Sequence, residues 1–257
     1  GHVDIPRMRE GGVGAAFFAV WIDEVHDEAA AFKHAVRGVD VIRRTVDRHP
    51  NDLSLALNAA DIEKARSQGK FAVLISIEGG RAIADDLACL RALHSFGVRS
   101  ITLAWYRSTN WCDSHNDGRH GGLTPFGRDV VREMNRLGML VDISHVSDAT
   151  FWDVLETSVK PVFASHSCCR ALCEHTRNMT DEMVTALGQK GGVINVTFVS
   201  GFVAGQPGSD FKSPVIPPRE KLRDPFDYIA WPCPDPGPPF ETLMAQFNHA
   251  IELAGPD

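Results

Sequence analysis

Glu78, His145 and His166 each stand at the end of a short apolar run, and together they offer one carboxylate and two imidazoles. FAVLISI leads into Glu78, LVDIS into His145 and PVFAS into His166. Two imidazoles and a carboxylate form a donor set for a divalent metal, which in hydrolases activates water and polarises a carbonyl. Donors from separate segments serve one metal only if the fold gathers the segment ends. Parallel strands joined by helices do so, because their C-terminal ends share one edge of a sheet. Leu140–Asn178 reads as such a unit. Leu140–Ser144 is a strand, and Ser147 caps a helix carrying Phe151, Val154 and Leu155 at helical spacing; Pro161–Ser165 is the second strand. His145 and His166 then lie side by side at one rim. Taken singly, each of the three residues also suits an ordinary hydrogen-bonded turn. Their recurrence at three equivalent strand ends points to a metal.

The remaining elements repeat the same alternation. Val13–Ile22 and Phe71–Ile77 are apolar runs that suit strands buried on both faces, and Ser100–Trp105 is another strand. Helices are expected over Asp27–Arg48, Ala60–Ser67, Leu87–Phe96, Thr124–Leu137, Thr180–Gln189 and Phe240–Ala254. Thr124-Pro125 and Gly138 mark the start and stop of the best-defined one. Gly192–Thr197 brings the strand count to six. The order implies a parallel α/β fold, and 257 residues suit a single (β/α)8 TIM barrel spanning 1–257. A doubly wound sheet is the alternative, but no glycine-rich phosphate loop joins a strand to its helix; GGVG at Gly11–Gly14 precedes one. Residues 198–239 are proline-rich and aperiodic, and read as an irregular insertion or lid.

A net charge of −7 disfavours nucleic acid as a partner. No apolar run approaches the roughly 20 residues that cross a bilayer. Six cysteines without CxxC spacing imply no disulfide framework, and a cytoplasmic enzyme is expected. His115, Asp117 and His120 resemble a metal cluster, yet a flexible polar loop at the rim accounts for them. Cys168 and Cys169 lack a general-base partner that would mark a nucleophile.

EGG at 78–80, LVDISHVS at 140–147, PVFASHS at 161–167 and the TRN around Arg177 resemble the membrane dipeptidase (renal dipeptidase) family of zinc peptidases. HVDIPRMREGGVGAAFF at 2–18 is similar to that family's approach to its second barrel strand. The resemblance covers nearly the whole chain. It implies a barrel of the metal-dependent amidohydrolase type that holds two zinc ions and cleaves short dipeptides through a metal-activated water. Glu78 would bridge the ions, His145 and His166 would ligate one of them, and Arg177 would bind the substrate's C-terminal carboxylate. Glu78, His145 and His166 form the expected catalytic set, with Trp105 and Tyr106 lining the substrate pocket. A homodimer is compatible with this reading.

Three departures shape the expectation. His2-Val3-Asp4 has the letters of the family's HxD motif for the second zinc, but its neighbours match a later segment. His2 and Asp4 are therefore read as look-alikes, with the true motif upstream of Gly1. The family's last-strand aspartate is not reached before AGPD. Trp105 stands where the renal type has a histidine, so that role is vacant or falls to Tyr106 or His115. The reading is a core segment lacking the first and last strands, so its second zinc site is doubtful. Two alternatives are an amidohydrolase acting on another small amide or lactam, and a non-catalytic barrel with an incomplete metal site.

Overall fold

A computed structural model of the chain describes residues 3–23, 27–204 and 238–255. A short helix α1 (Ile5–Glu10) precedes strand β1 (Ala15–Trp21), and helix α2 (Glu28–Arg48) follows it. Next come β2 (Leu53–Leu55), α3 (Ala59–Ser67), β3 (Phe71–Glu78), a 3-10 turn (Gly80–Ile83), α4 (Leu87–Ser95) and β4 (Val98–Thr102). After a long loop, α5 (Pro125–Leu137), β5 (Leu140–Asp142), α6 (Asp148–Thr157), β6 (Phe163–Ser167), α7 (Asp181–Gln189) and β7 (Val193–Val196) continue the alternation. Helices α8 (Ser200–Val203) and α9 (Phe240–Ala254) complete the described elements.

All strand pairings are parallel, in the order β1-β3-β4-β5-β6-β7, with β2 pairing the first residues of β3. The expected alternation is therefore present, as a parallel half-barrel with β1 and β7 at its two margins. Strand β2 adds a seventh strand to the six anticipated. Its three residues are too few to show a period.

Buried side chains on the outer face of the sheet hold the helices. Ile75, Ile77, Ile101 and Val141 point towards Leu90, Leu93, Val130, Met134 and Phe151, all within one continuous core. Each such side chain contributes roughly 1.5–3 kcal/mol relative to exposure. Helix α5 keeps its anticipated signals. Thr124 Oγ1 accepts from Gly127 N at 3.2 Å, and Gly138 closes the helix at φ 74°, a left-handed conformation that glycine adopts without steric cost.

The inner face differs from the expectation of strands buried on both sides. In β3 the residues Leu74, Ser76 and Glu78 are only partly buried, alternating with fully buried Val73, Ile75 and Ile77. In β1, Ala15, Phe17 and Ala19 are similarly more open than Val20. Ala15, Phe17, Ala19 and Ser76, with Thr102, Asp142 and Asn195, line a concave cavity of about 620 Å³ that reaches Glu78 and His166. An apolar run in β1 thus masks a face that none of the described helices packs against. The expected insertion at 198–239 lies mainly outside the described residues; its described beginning includes α8.

Candidate metal centre

Strand register places the first components. Trp21 is paired with Glu78, Glu78 with Thr102, Thr102 with Asp142 and Asp142 with Phe163. Side chains in register on neighbouring parallel strands face the same side, so Glu78, Thr102 and Asp142 form one row on the concave face. Glu78 ends β3, as expected. His166 lies inside β6 instead of just beyond it, because that strand runs to Ser167. His145 lies three residues past β5, in a turn where its own φ is 69°. A non-glycine residue in that region stores on the order of 1–3 kcal/mol of strain, which the surrounding contacts must offset.

The turn and the strand bring the two imidazoles together. His145 Nε2 and His166 Nε2 are 2.8 Å apart, and Glu78 Oε1 is 3.1 Å from the first and 3.4 Å from the second. Among the described residues, these three form the group whose ligand atoms converge closely enough for a metal ion. Burial would raise the Glu78 carboxyl, but bonding to both imidazoles outweighs it and holds the group below the usual carboxylate range. Burial, reinforced by the charge of Arg177, drives His145 well below the ordinary imidazole value. An anionic carboxylate beside a neutral imidazole is the state in which both can donate lone pairs. Two facing imidazole nitrogens can share one proton at most, so the cluster gathers more lone pairs than it has hydrogens to satisfy. Its composition, two nitrogens and a carboxylate oxygen, fits a zinc-type cation.

A loop from Ser108 to Gly122 is folded against this centre. Asp113 is buried and accepts from the backbone N–H groups of Arg119, His120, Gly121 and Gly122. Burial would raise its carboxyl, but these donors together lower it. His115 N donates to His145 O at 2.8 Å, tying the loop to the strained turn. The His115 ring lies 5.9 Å from that of His145 and 5.5 Å from that of Tyr106. Its pKa falls to about 3, chiefly through burial and then through Arg177 and His175. The anticipated loose rim loop is in fact a stapled structure with His115 beside the centre. Asp117 and His120 serve it differently: Asp117 pairs with Arg119, and His120 Nε2 lies 3.1 Å from Thr109 O.

Trp105 and Tyr106 also reach the centre. Their rings meet edge to face at 4.6 Å and lie 6.2 and 6.0 Å from His145, while Trp21 packs on Trp105 at 4.9 Å. Gly79 and Gly80 follow Glu78, and the second leaves room for the Leu103 backbone and the Trp111 ring. A Cβ on Gly80 would sit 2.2 Å from Leu103 O and 2.7 Å from the Trp111 ring.

Arg177 follows β6 and is buried to 3 % exposure. It donates to His166 O at 2.8 Å and to Ser167 Oγ at 3.2 Å, and its Nε has no partner among the described residues. No carboxylate pairs with it among the described residues. Burial lowers its pKa to about 10, although Asp142 and Glu78 act in the opposite sense. Asp4 is not drawn into the centre. Its side chain caps α1 by accepting from Arg7 N at 2.9 Å, and it stays half-exposed. His2 lies outside the described residues.

Asp142 and Ser165 are components that sequence reasoning passed over. Asp142 is buried and accepts from four donors, and Ser165 Oγ lies 2.7 Å from His166 Nδ1. Their only signal was polarity within runs otherwise read as apolar strands.

Residues 1–257 match the family model described as membrane dipeptidase (peptidase family M19). The chain is 38% identical over 207 residues to Dipeptidase 3 of Mus musculus, covering 78% of this chain and 41% of that protein. It is 36% identical over 211 residues to Dipeptidase tcpJ of Claviceps purpurea (strain 20.1), covering 77% and 49%. The chain thus spans less than half the length of either relative. A crystal structure of the dipeptidase AC, a metallo peptidase of family M19, superposes with a TM-score of 0.83 at 25% identity, covering 99% of this chain and 72% of that one. With its whole length matched to that family model, the chain belongs to the membrane dipeptidase family, peptidase family M19.

Proposed function

We propose that this chain carries the core of a zinc-dependent dipeptidase, with Glu78, His145 and His166 as metal ligands. The observation that carries the reading is the convergence of these three donors beside a buried arginine that has no carboxylate partner among the described residues. A bound zinc supplies Lewis acidity, which makes water a nucleophile near neutral pH and polarises a scissile carbonyl. Glu78, held anionic, would offset the charge of the cation as one of its ligands. His145, kept neutral by burial and by Arg177, keeps a lone pair for ligation. Arg177 offers its guanidinium to the C-terminal carboxylate of a dipeptide, the partner its burial otherwise denies it. Trp105 and Tyr106 form an aromatic wall beside His145 that limits the adjacent side chain and keeps out water.

Trp105 also motivates a second reading, an amidohydrolase for another small amide, because it narrows the approach to His145. One panel tests both. The full-length protein is stripped of metal, reloaded with zinc and assayed on dipeptides, on their C-terminal amides and on cyclic amides. Hydrolysis of free dipeptides that vanishes on stripping, returns with zinc and falls sharply on the amides supports the dipeptidase. Preference for the cyclic amides would shift the assignment to the second reading.

A further inference from the structure

We infer that Asp142 and Ser165 are positioning residues that fix His166 in one tautomer, with Nδ1 protonated and Nε2 free to ligate. The inference rests on the metal-centre reading above. Asp142 sits at the middle of a buried knot. Its Oδ1 accepts from Ser144 N at 3.0 Å and Ser165 N at 2.9 Å, and its Oδ2 accepts from Thr102 Oγ1 at 2.6 Å and Ser165 Oγ at 2.5 Å. With two donors on each oxygen, the carboxylate serves only as an acceptor. Ser165 has a single hydroxyl proton, and the 2.5 Å contact commits it to Asp142. What Ser165 Oγ still offers is a lone pair, and His166 Nδ1 lies 2.7 Å from it. The hydrogen in that contact must therefore come from the imidazole. Protonation at Nδ1 leaves a lone pair on Nε2, the atom that faces His145 and Glu78.

The backbone closes the same circuit. His166 N donates to Ser144 Oγ at 3.0 Å, so the residue is held at its amide as well as at its ring. His145 is held by other means. Its Nδ1 is buried without a partner among the described residues, and its ring is set by packing on Trp105, Tyr106 and His115. The two histidines thus depend on different supports, so loss of the Ser165 hydroxyl should act on His166 selectively. Row geometry explains why Asp142 can do this. It stands in register between Thr102 and Phe163, two residues before Ser165 on the adjacent strand.

The test uses the full-length protein in two measurements. In the first, zinc affinity of the metal-free protein is measured by competition with a chromophoric chelator. Outer-shell partners of ligating histidines typically contribute 10- to 100-fold to metal affinity. Ser165→Ala is expected to weaken zinc binding by about that factor, and Ser165→Thr, which keeps the hydroxyl, to restore it to within about threefold of wild type. In the second, nitrogen-15 shifts of the metal-free protein report the His166 tautomer, expected as Nδ1–H in wild type and as a mixture in Ser165→Ala. Unchanged zinc affinity together with an unchanged tautomer in Ser165→Ala would overturn the inference. If wild type binds no zinc, the metal reading fails, and a wild-type tautomer other than Nδ1–H would remove the relay as well.

Discussion

Arg177 shows how a single side chain can be costly to fold and still useful. Its buried guanidinium has no carboxylate partner among the described residues, and its bonds to His166 O and Ser167 Oγ replace the lost hydration only in part. A substrate carboxylate would complete the set. Arg177→Lys keeps the charge but loses the planar fork, and a hydrogen bond to a charged group is worth about 1.5–3 kcal/mol. The expected result is a rise in KM for dipeptides of roughly 10- to 100-fold, with a smaller change in kcat. Steady-state kinetics on one dipeptide decide it; an unchanged KM would remove Arg177 from substrate binding. Glu78, His145 and His166 were legible in the sequence because each ended an apolar run, whereas Arg177, in a polar stretch, was marked only by the family resemblance. Asp142 and Ser165 lie within such runs. What makes them tolerable is their pairing across strands, with Thr102 Oγ1 and both Ser165 N and Ser165 Oγ donating to Asp142, which linear pattern does not reveal.

At the scale of elements, the site depends on register and on one stapled loop. Parallel pairing aligns Glu78, Thr102 and Asp142, and the alternation of strands and helices that leads to this was readable from periodicity. Strand β2 was not, since three residues carry no period. The open inner face was also hidden, because alanine and phenylalanine in β1 read the same whether covered by helices or facing a cavity. Asp113 holds the loop by gathering four consecutive amides, and through the contact of His115 N with His145 O it also supports the strained turn. Asp113→Ala removes the acceptor that gathers these amides, the Gly122 N–H buried and the others part-buried, and is expected to destabilise the protein by about 1–2 kcal/mol. Amide exchange should accelerate from His115 to Gly122 more than in α4 or α5. Uniform exchange behaviour in wild type and variant would contradict this account of the loop.

For the molecule as a whole, the buried imidazoles couple stability to pH. His115 titrates at about 3 in the folded chain, whereas an unfolded histidine titrates near 6.5. Between those values the unfolded state binds a proton that the folded state refuses. Stability of the metal-free protein is therefore full above about pH 6.5 and declines as pH falls towards 3. His115→Gln is expected to flatten that decline in chemical denaturation at pH 7, 6, 5 and 4, and an equal slope in both proteins would argue against it. The same centre links stability to metal, since a ligand at 100 times its dissociation constant stabilises by about 2.7 kcal/mol.

X-ray absorption at the zinc edge shows whether Glu78, His145 and His166 form a metal centre. The sample is zinc-loaded full-length protein, compared with its His166→Ala variant. The expected spectrum has a nitrogen and oxygen shell at roughly 2.0–2.2 Å with imidazole scattering that diminishes in the variant. A sulfur shell near 2.3 Å, or a spectrum unaltered by the loss of His166, would place the metal elsewhere.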